Sequence, residues 1–127
     1  MTKKQIYEKI INSYDDINFY KFEKDYSLAI PETKSIFIGT DISSTYSNDS
    51  VFTLLHEIGH IFKDNDIRLC IREYLATVWA INESKNFDLM ITDTEKTEWQ
   101  EYIYICRNKD IDNGLSVPEK NKLILCW

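Results

Sequence analysis

Val51-Phe52-Thr53-Leu54-Leu55-His56-Glu57-Ile58-Gly59-His60 decides the reading of this chain, because it places both of its histidines in one HExxH pattern. Residues four apart share a helix face, so the imidazoles of His56 and His60 can converge on one metal ion. Glu57 follows the first histidine directly, where a carboxylate reaches a metal-bound water without filling a ligand position. Zinc in such a site brings the pKa of its water to about 7, and the glutamate accepts the proton as the water attacks a carbonyl. The pattern is that of a zinc peptidase site, and it predicts a helix over about Ser50–Phe62. Val51, Leu54, Leu55, Ile58 and Phe62 form its apolar face at 100° per residue, with the histidines near the opposite side and Glu57 on a flank. Such a helix has to be covered on two sides. Gly59 weakens a helix by about 1 kcal/mol relative to Ala, and its expected use is to admit a second backbone at close range.

Upstream, Ile6, Tyr7, Ile10 and Ile11 give residues 2–13 an amphipathic helix pattern with Thr2 as its cap. Ile17–Phe22, Leu28–Ile30 and Ser35–Ile38 read as short strands separated by turn residues, and predict a small, mainly antiparallel sheet. Asp41–Ser50 is polar and reads as a loop that ends in capping residues. Downstream, Lys63–Asp66 breaks the helical pattern and Ile67–Ile81 resumes it, with Glu73, Ala76, Thr77 and Ala80 on one stripe. A stripe of small residues lets two helices approach, which would carry Glu73 to the metal from the facing helix. Asp64 and Asp66 are the other carboxylates close enough in sequence to serve as third ligand, although a ligand so near His60 strains a tetrahedral site. Asp93 to about Arg107 is a third helix candidate. A peptidase also needs a donor for the developing oxyanion; Tyr46, Tyr74, Tyr102 and Tyr104 are candidates by chemistry, but the sequence does not rank them and assigns the role to none.

At 127 residues the chain is expected to form a single domain, 1–127. A net charge of -6 argues against phosphate-driven nucleic-acid binding. There is no apolar run long enough for a membrane span and no signal-peptide pattern, so the reading is cytoplasmic. Cys70, Cys106 and Cys126 form no CxxC pair and read as reduced thiols.

The stretch from about Leu28 to Ile81 resembles the ImmA/IrrE family of small zinc metallopeptidases. Ile30-Pro31-Glu32 and Ser35–Ile38 match the strand region of that family, Val51–His60 its active-site helix, and Glu73-Tyr74-Leu75-Ala76 the start of its third-ligand helix. Val51 and Leu55 depart from the arginine and alanine usual there, and Asn82–Lys85 replaces a small-apolar stretch. The resemblance implies an α+β fold of minimal zincin type, its sheet packed on the HExxH helix and on a second ligand-bearing helix. It implies Zn2+ held by His56, His60 and Glu73, with Glu57 as catalytic base. It further implies cleavage of a specific protein partner, a transcriptional repressor of a phage or mobile element. The competing expectation is a non-catalytic zinc-binding regulator that acts by protein association on the same scaffold. Peptide deformylases fit worse, since their cysteine ligand lies upstream of the motif, and metzincins need a third histidine.

Overall fold

The computed structural model describes residues 1–127. The order of elements is α1 (Lys3–Ser13), β1 (Asn18–Lys21), β2 (Leu28–Ile30), β3 (Ser35–Ile38), α2 (Thr40–Ser43), α3 (Asn48–Lys63), α4 (Leu69–Ser84) and α5 (Asp93–Asp112), with single 3-10 turns at Pro31–Thr33, Lys85–Phe87 and Lys120–Lys122. The fold is α+β. Helix starts follow local chemistry. Thr2 and Gln5 close a capping box on α1, Thr92 and Glu95 close one on α5, and the Ser47 hydroxyl accepts the Ser50 N–H at 3.0 Å to start α3. The polar segment expected to be a loop contains the one-turn helix α2, whose Ile42 is fully buried.

The sheet differs from expectation. β3 lies in the middle, antiparallel to β2 but parallel to β1, so the sheet is mixed rather than mainly antiparallel. The reason lies in the connection after β1, which crosses the end of β3 instead of making a hairpin. There Thr40 N–H reaches the Lys24 carbonyl at 2.8 Å, and Gly39 passes directly beneath the chain. A Cβ on Gly39 would sit 2.1 Å from the Tyr26 carbonyl oxygen, so only glycine permits the crossing. β2 is left at an edge. Ile36 and Ile38 of β3 are buried in the core, while Phe37 stacks on Tyr20 at 5.2 Å.

Helix α3 is the centre of the protein. Val51, Phe52, Leu54, Leu55 and Ile58 are fully buried and belong to one core that also takes Ile6 and Ile10 of α1, Ile36 and Ile38, Ile81 of α4 and Ile103 of α5. Each such side chain contributes roughly 1.5–3 kcal/mol of transfer free energy. Phe62, expected on the apolar face, is instead 44% exposed and packs at the rim against Tyr14 and Trp79. No helix is long and apolar enough to cross a membrane.

Two features fix α4 in place, one against α3 and one against α5. Gly59 faces Ala76, where an added Cβ would lie 2.6 Å from the Ala76 carbonyl oxygen and 3.0 Å from its Cα. The start of α4 has no side-chain cap of its own. Buried Asp110 of α5 supplies one, accepting the N–H groups of Leu69 at 3.0 Å and Cys70 at 2.8 Å. Burial alone would raise the Asp110 carboxyl, but hydrogen bonds from the Cys70 thiol and from the Cys70 and Leu69 N–H groups outweigh it and hold the carboxyl below its ordinary value.

Two outcomes follow. Gly59→Ala should lose about 1–3 kcal/mol in a denaturant titration, despite its roughly 1 kcal/mol advantage in helix propensity, because α3 and α4 must separate. A stabilised variant would contradict the close contact. For Asp110, a depressed folded pKa means that its contribution is complete above the ordinary Asp value of 3.8 and is lost as pH falls through the lower folded value. Asp110→Asn should therefore cost about 1–3 kcal/mol at neutral pH and flatten the acid limb of the stability profile. An unchanged acid limb would show that the cap carries no such linkage.

Candidate metal centre

One helical turn separates His56 from His60 on α3, and both imidazoles are buried. The missing side chain of Gly59 lets the neighbouring helix pack so close at Ala76 that Glu73, one turn before Ala76, reaches them. Glu73 Oε2 lies 2.7 Å from His56 Nε2 and 2.9 Å from His60 Nε2, and the two Nε2 atoms are 3.1 Å apart. Glu73 is thus buried at the centre.

The surroundings decide where the protons sit. The Thr77 hydroxyl donates to the Glu73 carbonyl oxygen at 2.7 Å, so its oxygen must accept from His56 Nδ1 at 3.0 Å. His60 Nδ1 donates to Asp64 Oδ1 at 2.6 Å. With both Nδ1 positions protonated, both Nε2 positions and Glu73 Oε2 face one point as acceptors. Burial would lower the His60 pKa, but Glu73 and Asp64 outweigh it and raise it to about 9. Burial dominates at His56 and lowers it. Glu73, despite burial, is held low by both histidines. Two ring nitrogens and one carboxylate oxygen therefore converge on one point. Such a donor set suits a divalent cation, and two imidazoles with a carboxylate suit zinc. With sides of 2.7, 2.9 and 3.1 Å, the triangle is about 0.3–0.7 Å tighter than the roughly 3.4 Å between ligands of a tetrahedral zinc.

Glu57 is the rival third donor, since a carboxylate oxygen of Glu57 lies with a ring nitrogen of His56 and one of His60 in a group of ligand atoms within 4.8 Å of one another. Glu73 is the better choice because its oxygen is already at 2.7 and 2.9 Å from both imidazoles. Glu57 instead lines two cavities. One, of about 300 Å³, is walled by Asp49, Thr53, His56, Glu98, Trp99 and Tyr102. The other, of about 260 Å³, is bordered by Ser27, Leu28 and Ala29 at the start of β2 and by His60, Asp64 and Glu73. Burial raises the Glu57 carboxyl to about 7, with Glu73, Asp41 and Asp64 adding to the rise and His60 opposing it.

Several contributors were not assigned their parts by sequence. Asp64, weighed as a ligand, sits on the far side of His60 and orients it. Asp66 points elsewhere, to Arg68 at 2.8 Å. Thr77 was read only as a small residue of the stripe. Trp99 lays its ring on His56 at 4.9 Å and on Phe52 at 5.1 Å, while its indole N–H donates to Asp49 Oδ1 at 3.0 Å. Of the four tyrosines, only Tyr102 reaches the centre. Spacing could have flagged Asp64, four residues after His60, but nothing local marks Trp99 or Tyr102. Comparison with protein-family models, with curated proteins and with solved structures finds no match.

Asp64→Ala separates its two possible roles. A residue that only orients His60 should weaken zinc binding about 10–100-fold, as read by chelator competition. Abolished binding would make Asp64 itself a ligand, and unchanged affinity would deny it either part.

Proposed function

We propose that this chain is a zinc-dependent metalloprotease of the ImmA/IrrE type, cleaving a specific protein partner in the cytoplasm. The observation that carries the proposal is the convergence of His56 Nε2, His60 Nε2 and Glu73 Oε2 within 2.7–3.1 Å beside an uncoordinated glutamate on the cavity wall. The resemblance of Leu28–Ile81 to that family supports the same residues and points to a phage or mobile-element repressor as the partner.

Zinc held by His56, His60 and Glu73 would supply Lewis acidity, which makes water nucleophilic near neutral pH and polarises a carbonyl. Glu57 accepts the proton of the attacking water at a carboxylate oxygen and delivers it to the amide nitrogen as the C–N bond breaks. A carboxyl raised to about 7 suits both halves of that transfer, since it can hold or release a proton at neutral pH. His60, fixed through Nδ1 by Asp64, and His56, fixed through Nδ1 by Thr77, keep their Nε2 atoms directed at the centre. Ser27–Ala29 of the edge strand region border the second cavity, which favours an extended segment of the partner running beside β2. Asp49, Glu57 and Glu98 on the first cavity disfavour an acidic side chain there.

Glu57→Gln should retain zinc while slowing cleavage of the partner at least about 100-fold. Cleavage at the normal rate would overturn the mechanism. Control of the partner that survives in the variant, without cleavage, would instead support the non-catalytic zinc-binding regulator.

A further inference from the structure

We infer that Tyr102 is a positioning residue that presents Glu73 to the metal through a single oxygen, an inference that rests on the metal-site reading above. The Glu73 carboxylate has two oxygens, and the structure divides them. Oε2 faces His56 and His60, while Oε1 accepts the Tyr102 hydroxyl at 3.0 Å. Rotation about the last torsion of a glutamate is broad and nearly two-fold, so helix α4 alone does not determine which oxygen points inward, or whether both do. A donor fixed on Oε1 removes that freedom.

Tyr102 is itself held in place. It lies on α5, one turn after Trp99, with the two rings edge to face at 6.4 Å. Trp99 is tied to α3 at both ends, through Asp49 by its indole N–H and through His56 and Phe52 by its ring. The registration of α5 on α3 is thereby passed to the Tyr102 hydroxyl. The other three candidate tyrosines are engaged elsewhere. Tyr46 packs on Tyr7, Tyr74 turns its hydroxyl to the Ile124 carbonyl, and Tyr104 lies under the Lys120 ammonium. Tyr102 also lies beyond Leu28–Ile81, so α5 completes a centre whose recognisable motif ends on α4.

The test is Tyr102→Phe, which removes one oxygen atom and keeps the ring. Zinc affinity by chelator competition should fall about 10–100-fold, while the melting curve of the metal-free protein stays close to wild type. The visible absorption of the cobalt-substituted variant should also change, because a glutamate free to offer both oxygens alters the coordination number. Glu73→Ala and Glu73→Ala/Tyr102→Phe should bind zinc equally weakly, since Tyr102 acts only through Glu73. A variant affinity within twofold of wild type would overturn the inference and leave the peptidase reading intact. So would unchanged affinity with impaired cleavage, which would place Tyr102 on the substrate instead. Wild-type protein that bound no zinc would remove both.

Discussion

The contact of Gly59 with the backbone of Ala76 is the constraint on which the rest of the structure depends. It lets α3 and α4 approach until a glutamate on one helix meets two imidazoles on the other. Any side chain at position 59 would open that distance, and the three donor atoms would no longer share one point. The helix-weakening residue therefore sits between the two histidines for a geometric reason, and its roughly 1 kcal/mol cost is offset by the packing it permits.

Around that contact the remaining elements act as supports. The sheet, α1 and α2 bury the apolar face of α3, and α5 fixes both ends of α4's working segment. Asp110 caps the first turn of α4 three residues before Glu73, and Tyr102 holds the Glu73 carboxylate. Thr77 and Asp64 fix the protons on the outer nitrogens of the histidines. Each of these polar groups is satisfied, which a buried polar network requires if it is to hold one arrangement. The result is a triangle of two ring nitrogens and one carboxylate oxygen, a donor set that suits a divalent cation.

What the sequence made legible was local. HExxH gave the histidine pair by helical periodicity, the small stripe Ala76–Thr77–Ala80 marked the close helix face, and Gly59 announced an approach of backbones. Ser35–Ile38 and Leu28–Ile30 were readable as strands because their apolar runs are bounded by turn residues. The parallel pairing of β1 was not readable, since it depends on a crossing above Gly39 that no short-range signal encodes. Phe62 fits the apolar periodicity of α3 but lies past the point where the core ends. The parts played by Trp99, Tyr102 and Asp110 come from the docking of α5, a contact between segments distant in sequence, and periodicity carries no information about such docking.

The central claim is that His56, His60 and Glu73 bind one zinc ion. The most direct measurement is anomalous diffraction at the zinc edge from crystals grown with stoichiometric zinc. The account predicts one peak per chain, about 2.0–2.2 Å from His56 Nε2, His60 Nε2 and Glu73 Oε2, with Glu57 outside bonding distance. Zinc bound by Glu57 in place of Glu73, or no peak at the histidines, would contradict it.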